Sequence, residues 1–168
     1  MNKMNLHPIG RIANRAETVR IELFPRYAAG LKGLEGYGHV QVLWWADACD
    51  NASARSVLVE AKPYRHGPDE MGVFALRSPE RPNPVAVSNA AVACIDVAGG
   101  TIGLDWIDAF DGTPVLDVKP YVPGLDRIEA PATPAWCAHW PGSVEESGAF
   151  DWAAEFNFPA REARDGSR

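Results

Sequence analysis

The chain has few cysteines, and their pattern excludes two kinds of cross-linked protein. Its three cysteines, Cys49, Cys94 and Cys137, are odd in number and widely spaced, and no Cys-X-X-Cys pair occurs. The sequence therefore predicts neither a zinc ribbon nor a disulfide framework, and it favours a reducing cytoplasm. It also lacks a secretory signal and any apolar run of membrane-spanning length, so no membrane association is expected.

Histidine is equally scarce. The four histidines, His7, His39, His66 and His139, are not spaced as metal ligands. The segment Cys137-Ala138-His139 is a weak metal signal, which a plain terminal turn explains more often. We therefore predict no metal site from the sequence.

Positive charge is in deficit. The 16 lysines and arginines stand against 22 aspartates and glutamates, so the formal net charge is −6. This balance argues against broad electrostatic attachment to nucleic acid or to an anionic membrane. Gathered on one face, the basic side chains would suit a nucleic acid, whereas scattered ones, which the acidic balance favours, would only keep the protein in solution. The candidates for such a face are Lys3, Arg11, Arg15, Arg20, Lys62, Arg65 and Arg81.

What the chain does contain is a series of short strands separated by turns. With 168 residues, 46% of them apolar, it has the size and composition of one globular domain with a sizeable core. Seven or eight short strands at regular intervals indicate an all-β barrel or sandwich. The predicted strands are residues 6–12, 19–24, 38–45, 57–61, 72–76, 85–97, 101–107 and 114–122.

The alternation of apolar residues predicts which strand faces form the core. One face of the second strand carries Val19, Ile21 and Leu23, and one face of the third carries Val40, Val42 and Trp44. In the long strand 85–97, small and branched residues are expected to share a face that another layer or a ligand can approach closely. These residues are Val85, Val87, Ala91, Ala93 and Ile95.

Helix is scarce, and the best candidate lies near the end of the chain. We predict one helix at residues 144–156, with Ser143 as its N-cap and two glutamates in its first turn. The final segment, residues 161–168, is expected to fray.

The chain is expected to consist of a barrel domain, residues 1–126, and a C-terminal tail, residues 127–168. The tail begins as a proline-rich linker and continues with bulky aromatic residues. Because an exposed aromatic tail promotes association, we expect it to be docked on the barrel or on a second subunit. The aromatic residues concerned are Trp136, Trp140 and Trp152.

The most informative segment is residues 71–88, which holds Arg77 and Arg81 among three closely spaced prolines. Each proline restricts its own φ and pushes the preceding residue toward extended geometry, so the segment is a stiff loop and not a helix. Two guanidinium groups on a rigid loop can grip an anion. The alternative is a stiff strand connection with solvated arginines. The prolines are Pro79, Pro82 and Pro84.

A second cluster is acidic: Asp105, Asp108 and Asp111 recur at every third residue. Asp111 begins an Asp-Gly-Thr-Pro turn, and its structural role would be to bond to the amides of that turn. The functional alternative is that Asp108 or Asp111 accepts bonds from hydroxyl or amino groups of a ligand, or faces a cation. The bulky Trp106 and Phe110 between them suit an aromatic ligand better than a hydrated ion.

Together these segments resemble the TsaA-like family, also called TrmO or YaeB. The resemblance covers residues 72–88 and 108–121, the HPIGRI segment at residues 7–12, and residues 30–48. It implies a small closed β-barrel of about seven strands with a short helical C-terminal tail. It also implies S-adenosyl-L-methionine as cofactor, a homodimer, and N6-methylation of threonylcarbamoyladenosine next to the tRNA anticodon.

Individual residues can be given roles in such a reaction. Because the acceptor nitrogen loses a proton on methylation, Asp111 is the candidate base, and Arg81 and Asn83 are candidates for contact with the methyl acceptor. Arg77 would hold the carboxylate of the cofactor, because its fork of donors matches a carboxylate. The implied cofactor-binding residues are Asp47, Ala48, Arg77, Val87, Asp105, Trp106, Ile107 and Asp108.

The sequence departs from the family pattern in three places, and one of them, the loss of a loop with a Pro-Arg-Gln motif, puts the tRNA substrate in question. Ala86 stands where the family usually has glycine, and residues 13–17 replace a longer loop with a Pro-Arg-Gln motif. The extra C-terminal domain of the longer bacterial members is also missing. Two alternatives therefore stay open: a methyltransferase acting on a small molecule, and a non-catalytic module that binds S-adenosylmethionine or a related nucleotide.

Overall fold

The computed structural model describes residues 5–15 and 18–157. Lys3 and the segment 161–168, for which fraying is expected, lie outside these residues. The chain divides into two compact units. The first comprises residues 1–56 and 79–129, and the second comprises residues 57–78 and 130–168.

The described residues form eight strands and a set of short helices. The strands are β1 (Gly10–Arg15), β2 (Thr18–Leu23), β3 (His39–Trp45), β4 (Val59–Ala61), β5 (Glu70–Gly72), β6 (Val85–Asp96), β7 (Thr101–Leu104) and β8 (Pro114–Pro120). The α-helices are α1 (Ala52–Arg55), α2 (Pro123–Asp126), α3 (Val144–Ser147) and α4 (Trp152–Glu155), and the 3₁₀ helices are Pro25–Leu31, Asp47–Cys49, Val73–Ala75 and Ala135–Cys137. No helix within the described ranges has the length and apolar character needed to cross a membrane.

Six strands of the first unit close into an antiparallel barrel in the order β1-β2-β7-β6-β3-β8. The predicted all-β barrel is confirmed, with six strands where about seven were expected. The barrel closes where Gly10 of β1 pairs with Val115 of β8. Gly10 also pairs with Leu23 of β2, and a Cβ atom at this glycine would collide with the carbonyl oxygen of Glu22. Only glycine fits this close approach of two strands.

The barrel interior is filled by the alternating apolar residues of its strands. Val40 and Val42 are fully buried, with Trp44 packed against them, as the alternation in β3 predicts. Ile21 is also fully buried, and its neighbours in alternation, Val19 and Leu23, pack on the same core. Each such side chain stabilises the fold by about 1.5–3 kcal/mol relative to its exposed state.

In β6 the predicted face is wrong because the alternation is interrupted. Ala90 and Val92 face the core, whereas Val87 lies outside at 40% exposure. The pairing of β6 with β7 shifts register between Val92 and Cys94, so Ile95 turns back toward the core. A β-bulge of this kind reverses the inside-outside pattern of the residues that follow it.

The second unit contains the two strands that the sequence placed in the barrel. β4 and β5 pair only with each other, as a two-stranded sheet of three residues each. The strand predicted at residues 72–76 is therefore wrong: the chain leaves β5 at Gly72 and continues as a 3₁₀ turn, Val73–Ala75. Alternation in such a short segment does not reveal which sheet a strand joins.

The predicted helix at residues 144–156 is instead two single turns, α3 and α4. Ser143 caps α3 as predicted, accepting a hydrogen bond from the amide of Glu146 at 3.2 Å. The Asp151 side chain then caps α4, accepting from the amide of Ala154 at 3.1 Å. A second N-cap inside the segment starts a new helix, because its side chain satisfies an amide that would otherwise continue the first one.

Aromatic packing holds the described tail within the second unit. The ring of Tyr64 lies 5.3 Å from that of Trp136, 5.0 Å from Trp140 and 5.5 Å from Phe156. Tyr64 forms a buried cluster with Met71 and Leu76, on which these rings pack. The tail is therefore anchored to the segment 57–78 of its own unit.

An ion-pair network on the barrel wall gives a prediction for pH dependence. Glu22 of β2 faces Arg11 at 2.9 Å and Arg20 at 2.8 Å. Hydrogen bonds from Arg20 and Arg11 lower the pKa of the Glu22 carboxyl below its ordinary value. Such a carboxyl stabilises the fold above its unfolded-state pKa, and this stabilisation is lost as the pH falls through the folded-state pKa.

We expect Glu22→Gln to lower the free energy of unfolding at pH 7 by up to about 1 kcal/mol, as measured by urea denaturation. The difference in unfolding free energy between the variant and the parent should shrink once the pH falls below the unfolded-state pKa of glutamate, about 4.3. It should vanish as the pH falls through the lower folded-state pKa of Glu22. Glu129→Gln, an exposed glutamate outside the strands, is the matched control. A Glu22→Gln difference that does not change with pH would contradict this assignment.

Candidate functional site

The directions of the barrel strands bring several loops to one end. β3 ends at Trp45, which pairs with Val85, the first residue of β6. β8 begins beside the end of β3, and β7 ends at Leu104 beside the start of β2. Four segments meet at this end of the barrel: residues 14–15, 46–50, 79–84 and 105–113. We call residues 79–84 the proline loop and this end of the barrel the proline-loop end.

Arg55 ties the proline loop to the segment that follows β3. Its Nε atom donates to the carbonyl oxygen of Pro82 at 2.9 Å, and its Nη2 atom donates to Asn83 Oδ1 at 3.4 Å. Its Nη1 atom donates to Asp50 Oδ1 at 2.9 Å. One guanidinium group thus connects two loops, a geometry that the planar fork of arginine provides and lysine does not.

Asp50 and Trp45 hold Arg55 in place. The indole Nε1 of Trp45 donates to Asp50 Oδ2 at 3.0 Å, and the Arg55 guanidinium lies 5.9 Å from the centre of a Trp45 ring. The hydrogen bonds from Arg55 and Trp45 lower the pKa of the Asp50 carboxyl. Asp50 is therefore a structural partner of Arg55. Their ion pair orders the loop, and none of the candidate site carboxylates is used in it.

Asp47 and Ala48 lie directly beside the proline loop. The amide of Ala46 donates to the carbonyl oxygen of Pro84 at 2.8 Å. Asp47 and Ala48 then begin the 3₁₀ helix Asp47–Cys49, in which both are exposed and Cys49 is buried. The buried cysteine anchors the turn, and the two candidate residues face solvent.

The segment after β7 alternates between exposed candidates and a core anchor. The amide of Asp105 donates to the carbonyl oxygen of Ala91 at 3.1 Å, which joins the start of the segment to β6. Asp105, Trp106 and Asp108 are exposed, and Trp106 is 66% exposed. Ile107 is 2% exposed and packs in the barrel core, so its side chain fixes the segment and only its backbone remains for ligand contact.

Asp111 bonds to β1 and not to the amides of its own turn, so the expected local bond is not what the structure shows. Its Oδ1 accepts a hydrogen bond from the backbone amide of Asn14 at 3.0 Å, and Arg15 Nε lies 3.7 Å from the same oxygen. The Asn14 side chain also donates to the carbonyl oxygen of Ala109 at 2.9 Å. Gly112 has φ of 84°, a conformation that glycine adopts readily, and completes the turn.

The remaining candidates occupy different parts of the molecule. Val87 lies on the outer face of β6 opposite Leu43, Arg81 is half-buried in the proline loop, and Asn83 is exposed there. Arg77 is exposed and belongs to the second unit. The structure thus gathers the candidates of the first unit at or near the proline-loop end.

Two basic candidates of the first unit lie on the same face of the β1–β2 pair and share one carboxylate. Arg11 and Arg20 are both engaged by Glu22, whereas Arg15 and Arg81 belong to the proline-loop end. Lys62, in the second unit, pairs with Asp69 at 3.1 Å. At the proline-loop end, Arg15 in turn faces the Asp111 carboxylate, with its Nε atom 3.7 Å from Oδ1.

Sequence reasoning missed the residues that position this site. The candidates named from the sequence do not include Arg55, Asp50 or Asn14. Their partners lie 28 residues away for Arg55 with Asn83 and 97 residues away for Asn14 with Asp111, so no local pattern marks them. A helix N-cap was the one readable signal, since Asn51 accepts a hydrogen bond from the amide of Ala54 and so starts the turn that carries Arg55.

Residues 2–127 match the family model described as tRNA-methyltransferase O N-terminal domain. An Archaeoglobus fulgidus protein named S-adenosyl-L-methionine-binding protein is 37% identical over 108 residues, which cover 64% of this chain and 72% of that protein. The mouse protein named tRNA (adenine(37)-N6)-methyltransferase is 33% identical over 108 residues, covering 64% of this chain and 24% of that protein.

Solved structures agree with these sequence matches. A crystal structure of TrmO from Pseudomonas aeruginosa is similar with a TM-score of 0.62 and 26% identity, covering 80% of this chain and 62% of that one. Another TrmO crystal structure has a TM-score of 0.61 and 29% identity, covering 79% and 61%. The chain spans only part of several relatives, including 28% and 55% of two similar archaeal proteins from Archaeoglobus fulgidus and Pyrococcus abyssi.

The Arg55 contacts predict a local loss of order when the guanidinium is removed. In Arg55→Lys we expect the Ala46 amide, which bonds to Pro84, to exchange its hydrogen about fivefold faster, as for a local loss of about 1 kcal/mol. Exchange of the Val42 amide in the barrel core should be unchanged. Hydrogen exchange followed by NMR measures both, with Arg20→Lys on the barrel wall as control. Equal protection of Ala46 in Arg55→Lys and in the parent would show that Arg55 does not order these loops.

Proposed function

Because this chain belongs to the tRNA-methyltransferase O N-terminal domain family, we propose that it is an S-adenosyl-L-methionine-dependent methyltransferase. The proposed reaction is N6-methylation of threonylcarbamoyladenosine next to the tRNA anticodon, in the cytoplasm. The observation that carries this proposal is that loops distant in the sequence meet at the proline-loop end. There, antiparallel pairing brings the Asp47-Ala48 turn and the segment 105–108, which the family pattern assigns to the methyl donor, to the same end of the barrel as the proline loop. That loop carries Arg81 and Asn83, the candidates for contact with the acceptor.

The exposed residues at this end have the chemistry that the donor requires. Trp106 offers a flat apolar face to an adenine ring, and Asp105 and Asp108 offer acceptors to hydroxyl groups. Asp47 offers negative charge to a sulfonium. The family pattern assigns Arg77 of the second unit to the donor carboxylate, for which a guanidinium fork is suited. When bound, S-adenosylmethionine supplies a methyl group on a good leaving group.

The chain's own part in the reaction is to orient the acceptor and to accept a proton. The acceptor nitrogen loses one proton as it gains the methyl group, and the Asp111 carboxylate, held in one orientation by the Asn14 amide, is the group proposed to take it. Arg81 and Asn83 are proposed to contact the acceptor. Alignment of two reactants can supply on the order of 7–11 kcal/mol of barrier reduction in ideal cases.

One alternative has support of its own. Arg15 of β1 pairs directly with Thr18 of β2, so the connection between these strands is short where longer family members carry the Pro-Arg-Gln loop. Several relatives are named for S-adenosyl-L-methionine binding and not for a methyl acceptor. Under either alternative, a smaller acceptor or donor binding without transfer, the proposed donor site stays the same and tRNA is no longer the substrate.

A homodimer is part of the proposal. Trp106 is 66% exposed, Phe110 is 80% exposed and Val87 is 40% exposed, and all three lie at or near the proline-loop end. Large apolar side chains exposed together are typical of a surface that a ligand or a partner covers. We propose that a second copy packs here and shields the donor.

Donor binding is the first expected outcome. Isothermal titration with S-adenosylmethionine should show binding to the parent and at least tenfold weaker binding to Arg77→Ala, about 1.4 kcal/mol for a lost charge-assisted contact. Arg65→Ala, another exposed arginine of the second unit, is the matched control and should bind as the parent does.

Sedimentation equilibrium on the same samples tests the homodimer. A protein that binds the donor tightly as a monomer would contradict a shared site. If the parent does not bind the donor, the methyltransferase proposal fails as a whole.

Methyl transfer is the second expected outcome. The parent should transfer labelled methyl to tRNA that carries threonylcarbamoyladenosine and not to tRNA that lacks it. Asp111→Asn keeps an acceptor for the Asn14 amide but takes up no proton, so we expect kcat to fall about a hundredfold with donor affinity unchanged. Glu35→Gln, in the turn before β3 at the opposite end of the barrel, is the control. Donor binding without transfer to this tRNA would leave only the small-molecule or binding-module alternatives.

A further inference from the structure

Three side chains of the second unit that the methyltransferase proposal does not use converge on one point. One ligand atom each of His66, His139 and Glu155 lies within 4.8 Å of the others. His139 Nε2 lies 2.9 Å from Glu155 Oε1. The two imidazole rings lie 5.3 Å apart at 86°.

The fold of the second unit creates this cluster from distant parts of the chain. His66 lies between β4 and β5, and its position is fixed by the amide of Arg65, which donates to the carbonyl oxygen of Glu155 at 2.9 Å. His139 follows the 3₁₀ helix Ala135–Cys137, and Glu155 is the last residue of α4. The sequence spacing of the histidines therefore carried no metal signal.

Glu155 is a buried carboxylate among exposed imidazoles. Its side chain is 9% exposed, against 43% for His139. Its second oxygen, Oε2, accepts a hydrogen bond from Trp140 Nε1 at 3.2 Å. A carboxylate out of water requires compensation by a cation or by hydrogen bonds. The imidazole of His139 supplies it at Oε1, and a bound cation in contact with Oε1 would take over that role.

We propose that His66, His139 and Glu155 form a binding site for a divalent transition-metal ion such as Zn²⁺. Two imidazole nitrogens and one carboxylate oxygen are one of the ligand sets of zinc sites that keep an open coordination position. Nitrogen ligands disfavour Mg²⁺ and Ca²⁺, which take oxygen ligands.

The geometry needs only a small adjustment to hold zinc. Ligand atoms about 2.1 Å from a tetrahedral ion are about 3.4 Å apart, so the widest separation contracts by at most about 1.4 Å. Rotation of an exposed imidazole supplies such a movement. The Trp140 indole behind the carboxylate fixes its orientation, as the hydrogen-bond partners of metal ligands commonly do.

The consequence of binding is a link between two parts of the second unit. His66 belongs to the segment 57–78, and the other two ligands belong to the tail. An ion held by all three adds a cross-link to the aromatic packing around Tyr64. Small units often need such a link, because their cores bury little surface.

The test uses the full, untagged chain after dialysis against a chelator. Titration with Zn²⁺ alone should show one saturable site per chain, and Co²⁺ should give the visible absorption bands of a tetrahedral nitrogen and oxygen site. His66→Ala and His139→Ala should each weaken binding more than tenfold, since loss of a ligand is at least as severe as loss of the group behind it, about 10–100-fold. His7→Ala, an exposed histidine of the first unit, is the control.

Thermal unfolding supplies an independent readout. Zn²⁺ should raise the Tm of the parent and of His7→Ala but not that of His66→Ala or His139→Ala. Glu155→Gln, which retains an acceptor for the Trp140 indole, should behave like the histidine variants. The proposal is overturned if the parent shows no saturable Zn²⁺ binding, if either histidine variant binds as tightly as the parent, or if Zn²⁺ leaves the parent's Tm unchanged.

Discussion

Closure of the barrel between β1 and β8 is the constraint on which the site geometry depends. Gly10 pairs with Val115 of β8 on one side and with Leu23 of β2 on the other, where a Cβ atom would collide with the carbonyl oxygen of Glu22. This pairing carries β1 forward to Asn14 and Arg15 beside the Asp111 turn. Because all neighbouring strands are antiparallel, every second connection then lies at the same end. A set of loops far apart in the sequence thus becomes one chemical surface.

Arg55 converts this proximity into a defined arrangement. The prolines stiffen the loop at residues 79–84, but only contacts from outside the loop decide where it sits. The guanidinium group holds Pro82 and Asn83 on one side and Asp50 on the other. Buried Ile107 does the same for the segment 105–108 from inside the barrel. The candidate side chains are therefore exposed, whereas the contacts that hold their backbone in place lie beneath or between the loops. Such fixed positions are what preorganised binding requires.

The second unit is stabilised by a different kind of contact. Its two short strands bury little, and its cohesion comes from aromatic rings packed around Tyr64 and from polar contacts around Glu155. The described tail residues 130–157 are thus an integral part of the same folded unit as residues 57–78. This grouping is invisible in the sequence, because the strand pattern at those residues resembles that of the barrel strands on either side.

The sequence by itself determined the all-β class, the core faces of β2 and β3, the stiffness of the proline loop and the family, since each depends on local periodicity, on proline geometry or on a contiguous motif. Only the tertiary structure decided that β4 and β5 leave the barrel, that Val87 faces outward while a bulge turns Ile95 inward, that Asp111 bonds to Asn14, and that His66 meets His139 and Glu155. These features depend on pairing between residues far apart along the chain. The free energy of such pairing comes from burial and hydrogen bonds that exist only once both partners are folded.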